Sequence, residues 1–159
     1  MPSTFTVVTR TPHPIERLFD VSLSIDETSR SMGRSGARPV AGVTSGSIAL
    51  GQTVTWRGRH FGLWFTHTSR ITELDRPHSF TDEQVRGAFK SFHHRHLFRR
   101  DADETVMIDV VTLASPVFGF LAEAIVLVPY FRRLIRRRNR HLLAVLDGAQ
   151  PVIRVPTAD

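Results

Sequence analysis

The hydrophobic pattern of this chain changes period once, near Pro116, and that change constrains the fold more than any other feature. Before it, apolar and polar residues alternate in short runs, as they do in half-buried strands. After it, from about Phe118 to Leu146, the apolar residues recur at helical spacing. Leu121, Ile125, Val128, Ile135, Leu142 and Leu146 fall near one stripe. Pro129 is placed to kink this segment, and Gly148 is placed to end it. A run of strands followed by one long helix belongs to the α+β class.

The order of elements follows from local signals. Residues 3–11, "STFTVVTRT", are β-branched and alternating and predict a strand. "PHPIERLFDVSL" predicts a short helix, with Pro14 in its first turn and Ile15, Leu18 and Phe19 on one face. A second short helix is expected from Ser24, where Asp26 and Glu27 suit the first turn. Residues 32–42 hold three glycines and a proline and read as a loop. "TSGSIAL" is expected to pair with "TVTWRGRHF" across Gly51 and Gln52 as a hairpin. Four further strand segments follow, at 63–75, 79–86, 88–100 and 105–114, joined by short links that favour an antiparallel meander. The expectation is a curved antiparallel sheet of about six to seven strands around a long C-terminal helix.

Length and composition fit one domain, expected over residues 1–150, with a tail at 151–159; 41% of the residues are apolar, enough for a core. The chain has no cysteine, which excludes disulfides, thiolate metal sites and thiol catalysis. No secretory signal and no transmembrane segment is read, and a cytoplasmic protein is expected. The net charge is +6, and 20 of the 21 basic residues are arginine. Six of these lie in "RRLIRRRNR", residues 132–140. They share their segment with an apolar stripe, so a solvated helix face is the expectation. Contact with an anionic membrane or nucleic acid is the alternative.

The densest chemistry lies in "FHHRHLF", residues 92–98. Side chains two apart on a strand share a face. Phe92 and Phe98 bracket His94 and His96, so this set, with Ala88 and Lys90, is assigned inward; His93 and Arg95 go outward. The same alternation turns Val54, Trp56, Gly58 and His60 inward, and groups Phe80, Asp82, Gln84 and Arg86. On the last strand both faces are apolar, so alternation leaves open whether Met107, Asp109, Val111 and Leu113 face in. His67, His78, His93 and His141 are assigned to the surface.

This order of elements, together with "TPHPIERLFD", "GSIALGQTVTWRGRHFG" and "VMIDVVTLASP", resembles the START/SRPBCC superfamily, the helix-grip fold of the birch-pollen allergen. The set Gly87, Phe89, Phe92, His94, His96, Phe98, Asp109, Val111 and Pro116 is similar to a pattern of its bacterial polyketide cyclase/dehydrase-like branch. The resemblance covers nearly the whole chain. It implies a helix-grip fold and an internal cavity for a small, largely apolar ligand. The superfamily's functions range over lipid and hormone binding, aromatic cyclisation and sequestration, so fold is better defined than activity.

Three readings of the histidines compete. In an enzyme, His94 or His96 paired with Asp109 would supply acid–base catalysis for cyclisation or dehydration. In a carrier, the same groups would set pocket polarity, with Trp56, His60, Asp82, Gln84, Phe92, Phe98, Met107 and Tyr130 as the ligand-binding set. A metal site needs a third ligand, which His60 or Asp109 could supply. Cupin-type sites, which also use H-x-H on a strand, place a glutamate about four or five residues on and a second glycine-bounded histidine motif after it; here Arg100 and Asp101 stand at those positions and no second motif follows. No metal and no cofactor is therefore expected. The expected partner is a hydrophobic small molecule and not a specific nucleic acid; a homodimer stays open.

Overall fold

A computed structural model of the chain describes residues 2–115, 121 and 123–148. The first strand, β1, spans Ser3–Thr11. Helix α1 covers Ile15–Ser22 and α2 covers Ile25–Ser31. Strands β2 (Arg38–Gly42), β3 (Thr53–His60), β4 (Leu63–Asp75), β5 (Ser79–Arg86), β6 (Ser91–Asp101) and β7 (Glu104–Ala114) follow. They form one seven-stranded antiparallel sheet in the order β1-β7-β6-β5-β4-β3-β2. A π-helical turn, Glu123–Leu127, leads into the long helix α3, Val128–Leu146. This is the helix-grip architecture. No helix among the described residues is long and apolar enough to cross a membrane.

The two short helices form where their local signals place them. Pro14 is extended (φ −56°, ψ 143°) and stands just outside α1 rather than in its first turn. Ser24 caps α2: its Oγ accepts the Glu27 backbone N–H at 3.2 Å, meeting one of the unpaired donors of a helix start. The face of α1 formed by Ile15, Leu18 and Phe19 is buried. Phe19 meets Phe80 edge-on at 5.6 Å and Phe98 at 5.1 Å. This cluster, with Met107 and Leu146, closes one end of the sheet. A second cluster joins Phe5, Val7, Val111 and Leu113 to Ile135 on α3.

The expected hairpin is replaced by a different pairing. Residues 44–50 make only an isolated bridge, Ser24 to Ser47, and the partner of β3 is β2, inside the segment read as a loop. Two physical causes account for the exchange. Pro39 has no N–H to donate, which is harmless on an edge strand such as β2. Ile48 is drawn instead to the α1–α2 corner, where it is buried and its N–H donates to Leu23 O at 3.1 Å.

The C-terminal stripe is buried only along part of its length. Ile135, Leu142 and Leu146 pack inward, whereas Leu121 is 70% and Ile125 65% exposed. The π-helical turn adds a residue to its turn and so rotates the preceding face out of phase with α3. Glu123 is buried in their place; its carboxylate accepts from the Ser3 hydroxyl (3.1 Å) and from the Ser115 backbone N–H. Pro129 sits in the first turn of α3, where a missing N–H leaves no gap. Gly148 ends the helix with a positive φ of 76°. The expected helix start near Phe118 and the tail at 151–159 lie outside the described residues.

Candidate functional site

Strand β6 divides the inside of the sheet into three zones. Phe92 stands at one end among aromatic rings, Phe98 at the other in the core around Phe19, and His94 and His96 lie between them. Cross-strand pairing then brings acids to these histidines. His96 is opposite Asp109 on β7 and Phe80 on β5, and His94 is opposite Asp82 on β5. Directly opposed residues share a face, so three adjacent strands deliver two imidazoles and two carboxylates to one spot.

The cluster is buried: His94 is 8%, His96 2% and Asp109 0% exposed. A carboxylate only accepts, so His94 carries its proton on Nε2 and donates to Asp109 Oδ1 at 3.0 Å. His96 Nε2 lies 3.1 Å from Asp82 Oδ2. Its Nδ1 is 2.8 Å from Asp109 Oδ1, but the approach is out of line and the atom has no hydrogen-bond partner. Phe80 stacks on His96 at 4.0 Å, and the two imidazoles lie 3.8 Å apart.

Helix α3 closes the cluster from above. Asn139 Nδ2 donates to Asp109 Oδ2 (2.7 Å) and to Thr9 Oγ1 (3.0 Å). Arg138 is buried, donates to Ser22 O (2.9 Å) and Asn139 Oδ1 (3.2 Å), and holds its guanidinium 3.8 Å from Asp109. Burial alone would raise the Asp109 carboxyl. The hydrogen bond from His94 and the close His96 ring outweigh it, and hold Asp109 well below the ordinary carboxylate range. Asp82 is lowered by the same balance, burial opposing and the histidines prevailing. Burial and the neighbouring His96 ring together lower His94, outweighing Asp109 and Asp82, and burial lowers Arg138.

The aromatic end is built differently. Phe92 contacts Phe89, Phe131 and the His67 ring at 5.5 Å each, and Phe131 contacts Tyr130 at the same distance. His60 and the Tyr130 hydroxyl are hydrogen-bonded to each other. Trp56, His60, His67, Phe89, Phe92, Tyr130 and Phe131 are all half-buried. Burial lowers His60 and His67, so both are biased toward the neutral form.

The expected residues therefore divide. His94, His96, Asp109 and Asp82 converge, and Met107, Asp109, Val111 and Leu113 form the buried face of β7. Phe92, Tyr130 and His60 belong to the half-buried end, whereas Trp56, also half-buried, packs against the core around Phe19 and Phe98. Phe98 and Met107 lie in the closed core. Gln84 spends its amide on the turn before β6, donating to Phe89 O (2.8 Å) and accepting from its N–H (3.3 Å). His67 and His141 are corrections. His67 faces inward, since alternation with Phe65, Ser69 and Ile71 on β4 turns it there, and His141 is half-buried against Glu27 at 2.8 Å. Arg138 and Asn139 correct the reading of the basic run as a wholly solvated face. Asn139 stands four residues after Ile135 and three before Leu142, a spacing that does place it on the buried stripe.

A groove of about 300 Å³ lies at the β1 edge beside Arg136, Arg140 and Leu143 of α3, and shares Thr9 and Asn139 with the network that holds Asp109. Within the cluster, Asp82, His94 and His96 each offer a ligand atom, all within 4.8 Å of one another.

No protein-family model matches the sequence, and no curated protein matches it. Solved structures do resemble the fold. The protein TTHA0849 from Thermus thermophilus superposes with a TM-score of 0.70 at 15% identity, covering 90% of this chain and 99% of that one. Protein Ms6760 from Mycobacterium smegmatis gives 0.68 at 20% identity, covering 92% of each chain. The major latex-like protein 151 of Panax ginseng gives 0.64 at 13% identity, covering 93% of this chain and 99% of that one. At these identities the likeness is one of fold.

Proposed function

We propose that this chain binds a small, largely apolar molecule, aromatic, polyketide-like or lipid-like, at the aromatic end of the sheet beneath the start of α3. One observation carries the reading. The inward face is sealed around Phe98 and Met107, yet six residues at the other end, four of them Phe or Tyr, remain half-buried: His60, His67, Phe89, Phe92, Tyr130 and Phe131. An apolar wall with a few polar groups is the usual make-up of a small-molecule site. His60 and His67, biased neutral by burial, suit hydrogen bonds to an uncharged hydroxyl or carbonyl. In this reading the protein is a carrier or sequestering protein, and the buried cluster is the polar floor.

Acid–base chemistry is the second reading, and His94 favours it. It is the more exposed of the paired histidines, it stands one inward position from Phe92, and Asp109 fixes its tautomer. A neutral imidazole so held could take a proton beside a ligand carbonyl.

An apolar fluorescent naphthalene sulfonate, titrated into wild type, Phe92→Ala and Phe131→Ala, tests the first reading. Binding should weaken about tenfold or more in both variants, with the circular dichroism spectrum unchanged. Equal binding by all three proteins removes the proposed site. Native mass spectrometry of the purified protein then identifies any retained molecule. With that molecule in hand, His94→Gln separates the readings: an enzyme loses turnover, a carrier changes affinity alone.

A further inference from the structure

The geometry points to a divalent transition-metal site formed by Asp82, His94 Nδ1 and His96 Nε2, with Asp109 as the outer carboxylate behind both imidazoles, hydrogen-bonded to His94. The site does not rest on the apolar-ligand reading, since it needs only groups inside the cluster.

His94 has its proton on Nε2, toward Asp109, so a lone pair at Nδ1 faces Asp82 Oδ2 at 3.7 Å. His96 stands between two carboxylates, with Nδ1 2.8 Å from Asp109 and Nε2 3.1 Å from Asp82. A neutral imidazole has one N–H and cannot serve both. With the proton on Nε2, the buried Nδ1, which has no hydrogen-bond partner, presses its lone pair against an Asp109 carboxylate oxygen. With the proton on Nδ1, three lone-pair donors converge on one space: His94 Nδ1, His96 Nε2 and Asp82 Oδ2. Buried acceptors facing one another are costly unless a cation lies between them.

Zinc bonds of about 2.0–2.2 Å to nitrogen and oxygen in a tetrahedral site put ligand atoms about 3.3–3.5 Å apart. Two of the three edges, 3.1 and 3.7 Å from Asp82 Oδ2, bracket that length, and all three ligand atoms lie within 4.8 Å of one another. Metal-bound histidines direct their other ring nitrogen at a carboxylate; here His94 Nε2 donates to Asp109 Oδ1, and His96 Nδ1 lies 2.8 Å from the same oxygen with its approach out of line. Asn139 holds the other Asp109 oxygen, and Phe80 stacks flat on His96, so both the carboxylate and the ring are oriented. Two imidazoles and one carboxylate select zinc-like ions over magnesium or calcium.

The ligand set differs from the one that sequence spacing suggested. His60 is bonded to Tyr130 instead, and Asp109 stands behind the histidines rather than beside the ion. Asp82 takes the third position because the β5–β6 register sets it opposite His94.

Tag-free full-length protein, stripped with a chelator and titrated with Zn²⁺ and then Co²⁺, tests the site. About one equivalent should bind, with visible Co²⁺ bands of a tetrahedral centre and a higher melting temperature. Asp82→Ala should abolish the Co²⁺ bands and the thermal shift while keeping the fold, because Asp82 lies at the open edge of the cluster. Asp109→Asn should weaken binding about 10–100-fold, as loss of an outer-shell partner does. The proposal is overturned if wild type takes up no stoichiometric metal, or if Asp82→Ala binds as wild type does. It is equally overturned if long-range nitrogen–proton NMR shows His96 protonated on both nitrogens and unmoved by one equivalent of Zn²⁺.

Discussion

Replacing Arg138 by Met is expected to destabilise the fold far more than the same change at Arg136 or Arg140, although all three lie in one basic run. Arg138 donates to Ser22 O and Asn139 Oδ1 and is the nearest guanidinium to Asp109, which has no exposed surface. Methionine keeps much of the apolar stem but leaves that carboxylate without its nearest fixed positive charge. Breaking a buried pair by removing one partner costs about 3–5 kcal/mol. Arg136 and Arg140 are exposed, and such surface substitutions stay within about 0.5 kcal/mol. With a urea slope of about 2 kcal/mol per molar for a small domain, Arg138→Met should lower the unfolding midpoint by about 2 M. Trp56 and Trp64 report the transition by fluorescence, with circular dichroism as the second probe. A double-mutant cycle adds a stricter requirement. Arg138→Met combined with Asp109→Asn should cost at least about 1 kcal/mol less than the sum of the two, because the groups share one network. Equal midpoints for Arg138→Met and Arg136→Met would refute the claim that this run is divided between core and surface.

Two further outcomes follow from named contacts. Ser24→Ala removes the cap on α2 and should cost about 0.5–2 kcal/mol in urea unfolding, with the loss restored by Ser24→Asp. Asp20→Asn should leave stability at neutral pH little changed, since Asp20 and Arg76 are both about half-exposed. Its effect should appear in acid. The hydrogen bond from Arg76 lowers the Asp20 carboxyl below 3.8. Its contribution is therefore present above that value and lost as pH falls through the depressed one. The variant should show a smaller drop in urea midpoint between pH 5 and pH 2 than wild type, and an identical drop would discard the pair as a contributor.

The strand-to-helix order and the inward faces of β3 and β6 are legible in the chain because alternation is local. A residue's face is set by its neighbours two positions away, so Phe92, His94, His96 and Phe98 declare their side without reference to any partner. The same locality explains where the reading fails. β2 reads as a loop because Pro39 and Gly42 mark one in isolation, and only an edge position beside β3 makes them a strand. Asp109 has no face that alternation can assign, because β7 is apolar on both sides and its orientation comes from its pairing with β6.

By itself, then, the sequence determined the class of fold, the order of its elements and the direction of most strand side chains, all of which are short-range properties. Tertiary structure alone decided which charges meet. Arg138 reads as one arginine among six in its run, and nothing nearby announces that its counter-ion is Asp109 on another element. Asp82 and Asp109 lie on the strands that flank the two histidines of β6, and their convergence depends on the register of β5 against β6 and β6 against β7. A buried charge is tolerated only where another group compensates it, and that group is chosen by proximity in space rather than along the chain.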